Sequence, residues 1–291
     1  MTRLMLKSLM LILLSSGAVY AKAPAESGVK KDIEEFVKRA INVNPKFKLK
    51  EVRVRESKKL DQISGWKVYF LDIDLQMAGK KKEITTVHDK IFSNGTYLSR
   101  DFIALANKAS LKDKIAPDIT DKSLYRKERL LYGNADAKHK IVAFSDPICP
   151  FCQDYMPKLI KAAKENPKEI ALYYYHFPLT MLHKEAPTVI KAILVAEKQG
   201  VKDIVEKVYA KKFEMDTADD SKILKEFNKA LGTKVTKKDI ADIKILTHYS
   251  NDIEDGGKLM ISGTPTIYVD GKKDFSRNKY KTFIKKNKKK K

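Results

Sequence analysis

Between Val29 and Ile41, apolar residues recur at Ile33, Phe36, Val37, Ala40 and Ile41 with charges on the opposite face, which predicts an amphipathic helix. Three stretches of alternating apolar and polar positions follow: Lys48 to Arg55, Trp66 to Met77 and Glu83 to Phe92. Val68, Phe70, Ile73 and Leu75 alternate with polar neighbours, as in strands covered on one face. Ala78-Gly79-Lys80 and Ser93-Asn94-Gly95 are turn signals, so the second and third strands should form an antiparallel hairpin. Trp66, Tyr69 and Phe70 are expected in the core of this small α+β unit, the alternative being the lining of a subunit interface or a client groove. Asp101 to Ala109 then reads as helix, Lys112 to Thr120 with its Pro117 as a connector, and Asp121 to Leu131 as a short helix before the turn at Gly133-Asn134.

The pattern changes at Lys140-Ile141-Val142-Ala143-Phe144, an apolar run suited to a strand buried on both faces. Gln153 to Glu165 continues as helix and Ile170 to Phe177 as a tyrosine-rich strand, so the order strand, helix, strand implies parallel pairing with a right-handed crossover. From Lys184 to about Met260 the spacing is helical, with a first apolar stripe at Ala186, Ile190, Ile193, Leu194 and Ala196. A strand returns at Thr266-Ile267-Tyr268-Val269, turns at Asp270-Gly271 and leads to a short helix around Tyr280 to Ile284. These shifts divide the chain into an N-terminal domain over 22–115, a linker with a helix over 116–138, and a second domain over 139–291 with a helical insertion at 184–260.

With 291 residues and 43% apolar composition the chain can build packed cores without disulfide staples. Residues 1–21 change the compartment: Arg3 and Lys7, the apolar run Leu9 to Leu14 and the small-residue site Val19-Tyr20-Ala21 read as a secretory signal cleaved after Ala21. The alternative, an uncleaved anchor, meets the objection that Leu9 to Val19 is short of the roughly 20 residues that cross a bilayer. The expectation is an exported protein, soluble after cleavage. A formal charge of +22 is spread along the chain, and the one dense run, Lys285, Lys286 and Lys288 to Lys291, reads as a solvated tail; no nucleic-acid partner is expected.

Export directs attention to the cysteines, of which there are two, Cys149 and Cys152 in Cys149-Pro150-Phe151-Cys152. A bridge closing so short a loop restrains the unfolded chain little, so reversible redox work explains the pair better than stapling. Cys149 falls at the mouth of the predicted helix with Pro150 at its first position, where no N–H partner is needed. The helix dipole and free N–H groups favour the Cys149 thiolate, which makes it the nucleophile. Cys152, almost a turn later and more shielded, is the resolving thiol, while Pro150 and Phe151 supply rigidity and apolar cover. A Cys-x-x-Cys can also be half a zinc site, but there is no second pair, and the histidines at 88, 139, 176, 183 and 248 lack ligand spacing from it, so neither metal nor any cofactor beyond the redox pair is expected. Gly263-Thr264-Pro265-Thr266, just before the late strand, is a place where proline can be cis and expose its neighbour's backbone, the alternative being an ordinary trans proline at a strand start. Asp146 is a possible proton relay near the sulfurs, with turn formation as the plainer alternative; His183 ranks below it.

The run Phe144-Ser145-Asp146-Pro147-Ile148-Cys149-Pro150-Phe151-Cys152, together with Gly263-Thr264-Pro265-Thr266, resembles the bacterial Dsb family of periplasmic disulfide-bond proteins, and within it the DsbC/DsbG branch. The resemblance implies a thioredoxin-like domain with a helical insertion, preceded by a cystatin-like dimerisation domain. It implies a homodimer whose cysteine motifs face a shared cleft, a periplasmic location and a membrane redox partner. It also places Cys149 and Cys152 in catalysis, with Thr264 and Pro265 beside them to pair with an extended client as an added strand. Pro150 departs from the glycine usual in the dedicated isomerases of that branch and matches oxidising and DsbG-like members.

The sequence therefore points to an enzyme that forms or rearranges disulfides in exported, cysteine-containing proteins. The competing reading is a periplasmic chaperone that holds unfolded clients in a dimer cleft, with the cysteines secondary.

Overall fold

The computed structural model describes residues 25–43, 47–77, 84–213 and 215–284; the expected signal over 1–21, the turn at Ala78-Gly79-Lys80 and the lysine tail lie outside them. Helix α1 (Glu26–Asn42) lies on an antiparallel sheet of β1 (Phe47–Lys59), β2 (Lys67–Met77), β3 (Ile84–Ser93) and β4 (Leu98–Ser99), in the order β1-β2-β3-β4. Side chains alternate across the strands, and both faces are covered. Val29, Ile33 and Val37 of α1 pack on Val52, Tyr69, Leu71, Ile73 and Ile91, while Val68, Phe70 and Phe92 turn the other way onto Leu60, Trp66 and Phe102. Glu34 reaches from α1 to accept the Val54 N–H at 2.9 Å, beside an irregularity in the β1–β2 register.

The predicted helix over Asp101 to Ala109 does not form. Ile103–Ala104 (β5) and Ala109–Ser110 (β6) pair as a short hairpin whose turn carries Lys108 at φ 55°. The reason is Asp101, whose carboxylate accepts from Phe102 N–H, Lys112 N–H and the Ser110 hydroxyl, a set of local bonds that competes with helix. Only Leu111–Lys114 (α2) is helical there, capped by Ser110. The expected helix over Asp121 to Leu131 is likewise replaced, by a 3-10 turn at Lys127–Arg129 and strand β7 (Leu130–Tyr132). Part of the segment assigned to a linker over 116–138 thus belongs to the second sheet.

That sheet has the order β11-β10-β8-β9-β7, from β8 (His139–Ser145), β9 (Ile170–His176), β10 (Thr266–Val269) and β11 (Lys272–Lys273). β8 and β9 run parallel through α3 (Pro150–Glu165), whereas β10 and β7 pair antiparallel with β8 and β9 respectively. Between β9 and β10 come α4 (Ala186–Lys198), α5 (Ile204–Lys211), α6 (Asp220–Leu231), α7 (Lys237–Ile240) and α8 (Ile243–Lys258), the expected insertion. Ile141, Ala143, Leu172, Tyr174, Ile267 and Val269 face α3 and the insertion. Val142, Phe144, Ala171, Tyr173, Tyr175 and Tyr268 face Leu124, Leu259 and Ile261 on the other side. Both faces being dry explains the continuous apolar run in β8.

Gly133, where β7 leaves the sheet, has φ +87°, and a Cβ there would overlap the Ile170 carbonyl oxygen at the start of β9. A Gly133→Ala protein is expected to lose at least about 2 kcal/mol, because neither backbone can yield. Urea unfolding followed by tryptophan fluorescence and circular dichroism would measure it.

Candidate active site

Strand β8 delivers the motif and Asp146 bends the chain out of it. Its Oδ1 accepts the Ile148 N–H at 2.9 Å, and its carbonyl accepts the Cys149 N–H at 3.2 Å. Its Oδ2 accepts the Leu179 N–H and lies against His183 Nδ1, both at 2.8 Å. The carboxylate is fully buried, and its hydrogen-bond partners are these loop groups, with neither sulfur among them. Its geometry is that of a brace joining the motif loop to the loop over 179–183. Gln153 adds a second brace, its amide donating to the carbonyls of Pro147 (3.2 Å), Ile148 (3.4 Å) and Phe213 (3.3 Å).

Cys149 is the N-cap of α3, with extended backbone, and Pro150 holds the first helical position. Its carbonyl accepts from the N–H groups of Cys152 and Gln153, both at 2.9 Å, which starts the helix. Both cysteines are free thiols, Cys149 at 3% exposure and Cys152 at 0%. Phe151 between them is 71% exposed and marks the outer wall of the site. Across from the motif, the Thr264-Pro265 bond is cis, and the Cys149 thiol donates to the Thr264 carbonyl at 3.6 Å.

The two sulfurs are electrically unlike. A hydrogen bond from Cys152, with help from N–H groups at the helix mouth and from Thr264, holds the Cys149 thiol well below the ordinary cysteine value against the opposing effect of burial. Burial, and then its bond to Cys149, pushes the Cys152 thiol up. The Thr264 hydroxyl is buried without a nitrogen or oxygen partner, and its effect on both thiols favours the charged form. The arrangement is an acidic thiol beside the exposed Phe151, backed by a fully buried one, able to open a disulfide and then close the pair.

Behind Cys152, Ser145 at the end of β8 shares a hydrogen bond of 2.7 Å with Tyr209 of α5, and Tyr209 shares one of 2.8 Å with Tyr174 of β9. Neither this cluster nor the bracing by His183 and Gln153 was anticipated from sequence. Tyr174 was within reach, since its parity along β9 with Leu172 turns it toward α3. Tyr209 was not, because only the packing of α5 against α3 brings it there. Among the described residues, no group of three or more histidine, cysteine, aspartate or glutamate side chains could hold a metal ion.

Residues 126–286 match the family described as Thioredoxin. The chain belongs to the thioredoxin family. The match takes in β7, the motif, the whole insertion and β10, so the family's domain starts inside the segment read as linker. The thiol:disulfide interchange protein DsbC of Salmonella typhimurium is 28% identical over 144 residues, which cover 49% of this chain and 47% of that protein. A Na(+)/H(+) antiporter NhaA 1 of Mycolicibacterium gilvum is 24% identical over 146 residues, 48% of this chain and 23% of the antiporter. The chain thus spans less than half the length of either curated relative. Among solved structures, a thioredoxin-like oxidoreductase from Silicibacter pomeroyi is 21% identical, with a TM-score of 0.44 over 53% of this chain and 87% of that one. Among the described residues, no helix is long and apolar enough to cross a membrane.

Proposed function

We propose that this member of the thioredoxin family is an exported, periplasmic thiol:disulfide oxidoreductase acting on cysteine-containing exported proteins. Cys149 exchanges with a client sulfur, Cys152 resolves the mixed disulfide, and Thr264 and Pro265, with Pro150 and Phe151, form the surface on which an extended client rests. The working group is the Cys149–Cys152 pair itself, with no added cofactor. The observation that carries this reading is the Cys149 thiol at the mouth of α3, kept acidic and bonded to the Thr264 carbonyl. The printed name of the DsbC relative, thiol:disulfide interchange protein, supports it. In the same reading residues 22–115 join two subunits, and a membrane redox partner decides whether the pair is kept oxidised or reduced.

Incubation with reduced ribonuclease and, separately, with scrambled ribonuclease tests it. Recovery of nuclease activity from the first marks an oxidase and from the second an isomerase, and Cys149→Ala must lose both. Failure of the parent on both substrates would overturn the proposal, and a Cys149→Ala protein that guards unfolded clients as well as the parent would favour the holding role instead.

A further inference from the structure

Three hydroxyl groups stand together in the apolar core directly under the redox pair. Ser145 is 0% exposed, Tyr209 1% and Tyr174 4%, and they come from three elements, β8, α5 and β9. Ser145 Oγ and Tyr209 OH lie 2.7 Å apart, and Tyr209 OH and Tyr174 OH 2.8 Å. Cys152 and Tyr174 belong to one buried cluster; Ser145 favours the Cys152 thiolate, and the charge of Cys152 is felt by both tyrosines. The surrounding cluster is Met156, Ile160, Val189, Val205 and their neighbours, so phenylalanine would fill the same space without the desolvation cost of a buried hydroxyl. Burial holds both tyrosines far above the ordinary phenol value, so they stay neutral donors at any working pH.

Resting on the oxidoreductase reading, we propose that Ser145, Tyr209 and Tyr174 form a donor chain that carries the transient negative charge of Cys152 during disulfide exchange. In this chain Ser145 serves the sulfur; the two tyrosines are positioning residues that orient the serine and add their dipoles. When a client thiolate attacks the oxidised pair, a bond forms between the client sulfur and Cys149 Sγ, and the Cys149–Cys152 bond breaks. The electron pair of that bond is left on Cys152 Sγ; the client sulfur is oxidised and the Cys152 sulfur reduced, and no proton has to move in the step. The charge is born in a dry site that no solvent reaches, which is where aligned donors act most strongly. Either hydroxyl of each pair can be the donor, so once charge develops on the sulfur the chain can align with Tyr174 donating to Tyr209, Tyr209 to Ser145 and Ser145 to the sulfur. In the reverse step the Cys152 thiolate attacks Cys149 Sγ, the pair closes, and the electrons leave on the client sulfur. Asp146, whose oxygens serve the loops, takes no part in this chain.

The experiment uses the full chain and glutathione as the probe. Oxidised parent, Tyr209→Phe, Ser145→Ala and Ser145→Thr are mixed with reduced glutathione, and opening of the pair is followed by rapid acid quench. The rate constant is divided by that for iodoacetamide on reduced Cys149 in the same protein, which cancels changes at the nucleophile. Tyr209→Phe and Ser145→Ala are expected to lower the ratio about tenfold, the scale of one hydrogen bond to a charged group, and Ser145→Thr, which keeps the hydroxyl, should restore it. In the glutathione mixed disulfide, closure by Cys152 should rise with pH about one unit later in Tyr209→Phe than in the parent, a displacement that loosened packing would not produce. If Tyr209→Phe does not fold, Tyr174→Phe at the far end of the chain takes its place. Unchanged ratios and an unmoved pH profile would overturn the donor chain. A parent pair that glutathione opens no faster than a free disulfide would overturn the oxidoreductase reading instead.

Discussion

A Cys152→Ser protein mixed with a disulfide-bearing client is expected to accumulate as a covalent complex, whereas Cys149→Ser will give none. The asymmetry follows from the two environments. On the proposed reading Cys149, acidic and bordering the exposed Phe151, is the attacking thiol, and Cys152, fully buried and held protonated, acts only on a disulfide already made at its neighbour. An ordinary thiol is only a few per cent ionised at about pH 7, but Cys149 has its folded value pulled down. Its capture rate should therefore be nearly flat from about pH 8 to about pH 6 and fall only as pH drops through that lowered value. The same shift bears on stability in the reduced state: the contribution of the Cys149 thiolate is present above the unfolded cysteine value and is lost as pH falls through the folded one. Non-reducing electrophoresis after acid quench reads the complex directly. Equal capture by both variants would mean that the cysteines are not differentiated as the geometry requires.

Arg129→Ala is expected to have the largest effect on stability of any single charge removal in the second domain. Arg129 Nε donates to Asp252 Oδ1 at 2.7 Å, with both side chains almost wholly out of solvent, and Asp252 Oδ2 also accepts the His176 N–H at 3.1 Å. The two bonds on Asp252 thus fasten the segment ahead of β7, helix α8 and the end of β9. Removing the guanidinium strands a carboxylate in the core, which typically costs about 3 to 5 kcal/mol. Burial already raises Asp252 to about 7 in spite of Arg129, and His248, beside it, is lowered to about 4 and stays neutral. A carboxyl raised on folding stabilises fully below its unfolded value, and that contribution disappears as pH climbs through the folded one. In Arg129→Ala the folded value rises further, so the deficit against the parent should be larger at about pH 8 than at about pH 5. Guanidinium unfolding at the two pH values measures it, and a deficit independent of pH would show that lost packing, not the stranded charge, is responsible.

Much of this architecture was readable from periodicity. The unbroken apolar run in β8 reported that both faces of its sheet were covered, and the stripe at Ala186 to Ala196 announced the insertion; β2, read as covered on one face, is covered on both, because Leu60, Trp66 and Phe102 close the side away from α1. The reading broke down between Asp101 and Tyr132, where short segments carry no sustained period and side-chain bonds such as those of Asp101 decide the backbone. At the site, the residues that act through local geometry were visible: Cys149 and Pro150 at a helix start, Cys152 a turn later. What escaped were Tyr209, delivered by a distant element, and the bracing of Asp146 by His183, because nothing in their own neighbourhoods differs from an ordinary helix or loop.

Confining the sulfur chemistry to two cysteines in 291 residues also makes the protein its own gauge. A thiol-counting reagent added after unfolding will find two equivalents in the dithiol, none in the closed pair and one in a client adduct, with no other sulfhydryl to blur the tally. In the folded chain the adduct will count as zero, because the remaining thiol, Cys152, is sealed beneath the helix.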